Sequence, residues 1–464
     1  MKPFIANITK KSEKCKEEKS SEVKVESGQA KRISRGFMRA QNKNKKTRQI
    51  VPKNSLIVAM DLGRGEHCVW MCTTEKEPLD KIKISNNPHG IDEMLDRAKE
   101  VKKQHNLGKI VIAMEPTGHY WMNVAEYLTQ NDYEYVLVHT VSVKREKEIA
   151  CYRNAKSDFR DAEAIANLVC ERKITYTQLP KDALWAGLKA SAKEYYLTEV
   201  NLISDGMRLA SLMERVYPDY PSIFKDITKY TALACVLSLD HINGYEQMEF
   251  LAYARSHFTN RTSINKMKDF HTMVTSPGQW GCRTYEDGLC MPIKHAANRY
   301  KMALNQHEEA AQKLLSYYEQ TGYAEYANSF TSLSSIFHAS VLALIGDPQK
   351  YDSNRCILKF AGLDIKENQS GKYKGKTTIA HRGDPLLRYV AYLGGFVLSH
   401  HDPLWEEKFL YYINRTVRPL KKNQAIVAMG CKYLRIIWTL CKNHVYYDPV
   451  KAEKGNDYHW KIAR

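Results

Sequence analysis

Four carboxylates, Asp61, Glu115, Asp158 and Asp161, fall along residues 56 to 161 where one element ends or the next begins. Carboxylate oxygens suit magnesium, which takes oxygen ligands in near-octahedral geometry and completes its shell with phosphate and water. Two such ions can hold both the attacking and the leaving oxygen of a phosphodiester. Acids brought together also repel one another and need a cation between them. The chemistry indicated is phosphodiester cleavage or transfer in DNA or RNA, with magnesium, or manganese in its place, as cofactor.

Asp61 ends the apolar run Leu56-Ile-Val-Ala-Met60, a buried strand by its β-branched content, and Gly63 and Gly65 follow as turn residues. Strands over His67–Thr73 and Lys81–Ser85 complete an antiparallel meander, and a helix over Gly90–Gln104 comes next. The apolar strand Lys109–Met114 delivers Glu115 just before Pro116-Thr117-Gly118 breaks the chain. A helix over Tyr120–Gln130, a strand over Tyr133–His139 and a helix from Asp158 close the unit. Asp158 and Asp161 lie one helical turn apart and share a face. Three strands, helix, strand, helix, strand, helix is an order that resembles a ribonuclease-H-like nuclease.

The same acids admit a plainer reading. Asp158 can be a helix N-cap with Asp161 in the first turn, complementing the helix dipole. Asp61 and Glu115 can be ordinary loop acids flanking strands. Their joint arrival at one sheet edge and one neighbouring helix favours a site.

Asp61-Leu-Gly, Ala113-Met-Glu-Pro-Thr-Gly-His-Tyr-Trp121 and Lys156-Ser-Asp-Phe-Arg-Asp-Ala-Glu-Ala-Ile-Ala166 resemble the signatures of the insertion sequence 110 family. These are DEDD transposases related to Piv-type DNA invertases. Phe360-Ala-Gly-Leu363, Gln369-Ser-Gly371, Ile379-Ala-His-Arg-Gly-Asp384 and Leu387-Arg388 resemble that family's carboxy-terminal transposase domain, so the likeness runs from about residue 54 to 442. It implies a recombinase that excises and inserts its own element. A RuvC-like acidic site would work with a serine, Ser370 by motif position, and an element-encoded structured RNA (a bridge RNA) would pair with target and donor DNA. The partners implied are the element's ends, the target DNA, the guide RNA and further copies of the chain as a dimer or tetramer. The setting implied is a prokaryotic cytoplasm, on chromosomal or plasmid DNA.

A serine hydroxyl is a weak nucleophile until a base, a metal or a depressed pKa activates it. Around Ser370, Lys366, Lys372, Lys374, Lys376, Arg382 and Arg388 offer phosphate contacts, and Gly371, Gly375 and Gly383 leave the backbone open to close approach. Attack there would leave a phosphoserine-linked strand and a free 3′-hydroxyl, a polarity that comes from the resemblance. A solvated basic turn is the alternative for the same segment, since Ser-Gly pairs commonly make turns.

A net charge of +18 over 464 residues suits a nucleic-acid partner through counterion release, without choosing DNA over RNA. No stretch is apolar enough to cross a membrane, and eleven scattered cysteines show neither a disulfide framework nor ribbon spacing for zinc. We expect a basic disordered tail over 1–50, serving as a nucleic-acid arm or a solubilising extension, and a RuvC-like α/β domain over 51–175. A helical coiled-coil segment over 176–325 with an insertion near 240–296, a mostly helical transposase domain over 326–445 and a tail over 446–464 follow.

The coiled-coil expectation comes from Leu188, Tyr195, Leu202, Leu209 and Val216 at every seventh position, and from Tyr300, Leu304, His307, Ala311, Leu314 and Tyr318 at alternating fours and threes. We favour pairing of these helices between copies of the chain over a hairpin within it. Where the family carries a Pro-Gly-Ile-Gly type turn, this chain reads Leu333-Ser-Ser-Ile-Phe-His338, which puts the family's backbone phosphate contact in doubt and offers the hydroxyls of Ser334 and Ser335 in its place. Two other functions compete. One is a site-specific invertase or junction-resolving endonuclease that uses water as nucleophile. The other is a nucleic-acid-binding protein without catalysis.

Overall fold

The computed structural model describes residues 50–150, 159–175, 182–242, 246–257, 262–276, 280–281, 286–366, 369–370, 373–374 and 378–449. The chain divides into two compact units, Met1–Lys181 and Asp182–Arg464.

The first unit is built on a mixed sheet. Strands β1 (Ser55–Leu62), β2 (Glu66–Thr73) and β3 (Pro78–Ser85) form the antiparallel meander, and Gly63 turns the first hairpin with its amide on the Glu66 carbonyl at 3.1 Å. A Cβ on Gly63 would stand 2.4 Å from that carbonyl oxygen, so only glycine fits the turn. Helix α1 (Pro88–Gln104) starts with proline in its first turn, and Asn87 Oδ1 accepts from the Gly90 amide at 2.8 Å. Strand β4 (Lys109–Met114), helix α2 (Tyr120–Gln130), strand β5 (Tyr135–Val138), helices α3 (Thr140–Ala150) and α4 (Arg160–Cys170) and strand β6 (Ile174–Thr175) follow.

The strand order is β3-β2-β1-β4-β5-β6, with β1, β4 and β5 parallel and β6 antiparallel to β5. Alternation sorts the two faces of this sheet. Leu56, Val58, Met60, Ile112 and Met114 pack with α1 and α2 on one side. Ile57, Ala59, Val111 and Ala113 pack with α4 on the other.

Two features differ from the sequence reading. Helix α3 stands between β5 and the last helix, and that helix starts at Arg160 with Phe159 at its cap position rather than at Asp158. Position 158 itself lies outside the described residues.

The second unit is mostly helical. Helix α5 (Ala183–Val216) leads into α6 (Tyr230–Leu237), α7 (Gln247–Ser256) and α8 (Ile264–Thr275), and α9 (Glu286–Glu319) returns along α5. The heptad residues Leu188, Leu209 and Val216 are buried as read, and within one chain the two long helices pack against each other as a hairpin. They run antiparallel: Thr198 Oγ1 lies 3.2 Å from His307 Nδ1, and Arg299 Nε lies 3.3 Å from Asp205 Oδ1. The stretch between them is a lobe with its own apolar core, including Phe224, Phe250, Met267 and Phe270. That core closes the hairpin locally and gives each long helix its partner.

Helices α10 (Ala324–Asn328), α11 (Ser335–Ile345) and α12 (Asn354–Phe360) come next. Two-residue strands β7 (Ile365–Lys366), β8 (Gln369–Ser370), β9 (Tyr373–Lys374) and β10 (Thr378–Ile379) precede α13 (Pro385–His401), α14 (Pro403–Asn414) and α15 (Lys422–Asn443). The segment Leu333–His338 opens α11, and it commits Leu333 and His338 to the core. No helix among the described residues is long and apolar enough to cross a membrane.

Candidate active site

Strand alternation aims the first two acids. Asp61 follows Ile57 and Ala59 on the face that receives α4, and Glu115 follows Val111 and Ala113 on the same face. The parallel register pairs Met60 with Met114, so the next residue on each strand is one of the acids, at neighbouring carboxyl ends. Asp161 sits in the first turn of α4, which packs on β1 and β4. Its charge there also complements the helix dipole, so the plainer reading of Asp161 and the functional one hold together.

The electrostatics register this gathering. Burial raises the pKa of Asp61 above its ordinary value, and the negative charges of Asp161 and then Glu115 push it further. Lys147 and the Leu62 amide pull the other way without cancelling the effect. Lys147, from α3, places Nζ 2.7 Å from Asp161 Oδ2. Burial works against its charge, yet the bond to Asp161 and the fields of Asp161, Glu115 and Asp61 hold the ammonium above lysine's ordinary range. Thr117 Oγ1 donates to Glu115 Oε1 at 2.7 Å, and the Thr117 amide donates to the Glu115 carbonyl at 2.8 Å, fixing the strand-end turn. Neither Lys147 nor Thr117 was singled out from sequence as part of the site.

Among the described residues no three His, Cys, Asp or Glu side chains are drawn tightly enough to enclose a metal ion. The donor set itself fits a hard divalent cation. Asp61, Glu115 and Asp161 offer only oxygen and are each half-buried, and burial followed by the charges of the other two raises Asp61. Asp158, the fourth acid of the sequence pattern, lies outside the described residues.

Ser370 belongs to the second unit. Its backbone ends β8, antiparallel to β9, in register with Tyr373. Lys366 ends β7 opposite Thr378, and Lys374 lies on β9 opposite Gln369. Lys372 and Lys376 fall outside the described residues. Arg382 is exposed. Arg388 Nη1 donates to the Ala361 carbonyl at 3.0 Å, so part of its guanidinium ties α13 to the end of α12. Leu363, Ile379, Pro385, Arg388, Tyr389 and Tyr392 line an apolar pocket of about 250 Å³ beside this segment.

Comparison with known proteins agrees across both units. A DEDD transposase family of the IS110 type matches residues 58–218, and a transposase family described as IS116/IS110/IS902 matches residues 324–410; together they take in more than half the chain. The 42 kDa protein of insertion element IS900 from Mycobacterium paratuberculosis is 27% identical over 128 residues, covering 27% of this chain and 31% of that protein. The y4rJ protein of Sinorhizobium fredii, whose name assigns it provisionally to the transposases, is 30% identical over 105 residues, covering 22% of this chain and 26% of its own length. The matched segments thus span less than a third of either relative.

Proposed function

The chain belongs to the IS116/IS110/IS902 family of transposases, and from that premise we propose that it cuts and rejoins the DNA of an insertion sequence. Asp61, Glu115, Asp158 and Asp161 are the ligands of a divalent cation in this reading, and Ser370 is the nucleophile. The observation that carries it is the placement of Asp61 and Glu115 at adjacent strand ends, on one sheet face, with Asp161 in the first turn of the helix packed on that face. The sheet order, three antiparallel strands followed by parallel ones, supports a ribonuclease-H-like domain as the frame.

A bound magnesium or manganese ion would neutralise charge building on the scissile phosphate. The acids' task is to hold it at a fixed place, and Thr117 keeps Glu115 pointed there. Ser370 attacks phosphorus: its Oγ–P bond forms as the bond from phosphorus to the 3′-oxygen breaks. The proton shed by the serine is matched by the one the leaving oxygen takes up. The product is a phosphoserine-linked strand and a free 3′-hydroxyl, whose return attack rejoins DNA without external energy. Lys366, Lys372, Lys374, Lys376 and Arg382 hold phosphates along the strand, and Arg388 shapes the segment while offering its remaining N–H groups.

Guidance by an element-encoded RNA and action as a homo-oligomer belong to the same proposal. The +18 net charge supports a polyanionic partner of that kind.

The test is to incubate the full chain with element-end DNA, copurified RNA and magnesium, then denature. We expect a covalent protein–DNA adduct that disappears in Ser370→Ala and in Asp61→Asn. Cleavage without an adduct, persisting in Ser370→Ala, would instead establish water as the nucleophile.

A further inference from the structure

We propose that Lys147 is a built-in counter-cation of the acidic site: in the metal-free protein its ammonium occupies Asp161, and it must let go for a divalent cation to bind. The inference rests on the reading of Asp61, Glu115 and Asp161 as metal ligands.

The Lys147 pair links two segments of the chain, as Lys76 with Glu171 and Lys109 with Glu134 also do, and its acid is one of those at the candidate site. Lys99 with Asp96 and Arg97 with Glu100 are neighbours on one helix, three residues apart. Lys147 instead reaches from α3 to the first turn of α4, fourteen residues along the chain, and sets Nζ 2.7 Å from Asp161 Oδ2. It also lies in the fields of Asp61 and Glu115. Among the described residues the ammonium offsets one of the three carboxylate charges, and a divalent cation competes with it for Asp161.

The contact is made to be broken. The Lys147 and Asp161 side chains keep 36% and 41% of their exposure, so water takes over each partner as they part. A lysine carries its charge on a flexible stem with rotatable donors and no bidentate fork, so it can swing off a carboxylate without disturbing the helix that bears it. Helices α3 and α4 pack together, which keeps the freed ammonium near the site once a cation has arrived. Two positive centres then face one another across a few ångströms, and that repulsion weakens metal binding until a phosphate enters and draws the ammonium to itself. Cation binding is thereby weaker until nucleic acid is present.

The test is manganese binding to the full chain without nucleic acid, followed by the electron paramagnetic resonance signal of the free ion, at fixed pH and ionic strength. Relative to the unsubstituted protein, Lys147→Gln is expected to bind Mn2+ roughly three- to tenfold more tightly, from loss of both the competitor and the repulsion. Lys147→Arg keeps the charge and is expected to stay within about twofold of the parent. The metal-free Lys147→Gln protein is also expected to melt below the parent, because its acids have lost their counter-ion. Equal or weaker Mn2+ binding by Lys147→Gln overturns the proposal, as does tightening by Lys147→Arg to the same degree. Asp61→Asn separates the two layers. If it abolishes binding while Lys147→Gln leaves it unchanged, the metal site stands and the counter-cation role fails. If parent, Lys147→Gln and Asp61→Asn all fail to bind, the metal site falls and takes the proposal with it.

Discussion

Replacing Asp61 by asparagine keeps the shape of the side chain and removes a charge that the fold already finds costly, so stability and activity should move in opposite directions. Adjacent strands lie about 4.8 Å apart, and two unit charges at that spacing repel by about 0.9 kcal/mol even at the dielectric of water. Burial adds to this and partial exposure takes some away, so the metal-free variant should gain about 1 kcal/mol at pH 8.

The sign with pH follows from the raised Asp61 pKa. Above the ordinary value the native state holds a proton that the unfolded state has lost, so the charge penalty is absent below that value, grows from there up to the folded value and is complete above it. The advantage of Asp61→Asn over the parent should therefore widen from pH 3, below the ordinary value of 3.8, to pH 8. A gain of this size corresponds to roughly 2–4 °C in the melting of a unit of this length. Magnesium reverses the order: at about a hundred times its dissociation constant, binding to the native state adds about 2.7 kcal/mol, and the variant should forfeit most of it. Thermal melts with EDTA and with magnesium, at both pH values, read all of this. A variant that melts below the parent in EDTA at pH 8, or gains as much as the parent from magnesium, would refute the reasoning.

Thr117→Val removes the hydroxyl that steadies Glu115 while keeping its volume, and it should lower strand transfer about tenfold with melting unchanged; unaltered turnover would show that Glu115 needs no such support. His338 is fully buried, with Nδ1 3.1 Å from the Tyr433 hydroxyl and Nε2 3.0 Å from the Phe330 carbonyl. Burial pulls its pKa down to about 4, so the unfolded state binds a proton first, and stability is lost as pH falls from about 6.5 toward 4, by about 3 kcal/mol in all. His338→Gln should flatten that slope in denaturant titrations at pH 5 and pH 7.5, and an unchanged slope would place the acid sensitivity elsewhere.

What could be read from sequence was whatever announces itself by local pattern. The run Leu56–Met60 and the strand Lys109–Met114 are apolar stretches followed by an acid, and both are strands in the fold, β1 running on through Asp61 to Leu62 and β4 ending just before Glu115. Helix α2 occupies Tyr120–Gln130, the same span its pattern predicts. Helix α3 gave no such signal. Around Lys147 its sequence is Lys144-Arg-Glu-Lys-Glu148, and over residues 140–149 Val143 is the one fully buried apolar residue, so no apolar stripe marks a face.

The heptads of α5 likewise fixed which side of the helix is buried but not by whom. A seam specifies a face, and the partner depends on whether the intervening chain can fold back. Here residues 217–285 supply enough apolar side chains, Phe250 and Phe270 among them, to make the return helix local. Local periodicity thus encodes elements and their inward faces, whereas a charge such as Lys147 acquires its meaning only from what the packed helices bring opposite it. That asymmetry is why the acids proposed as ligands stood out in the sequence while Lys147 did not: a carboxylate at a strand end is a local fact, and an ion pair between helices is a tertiary one.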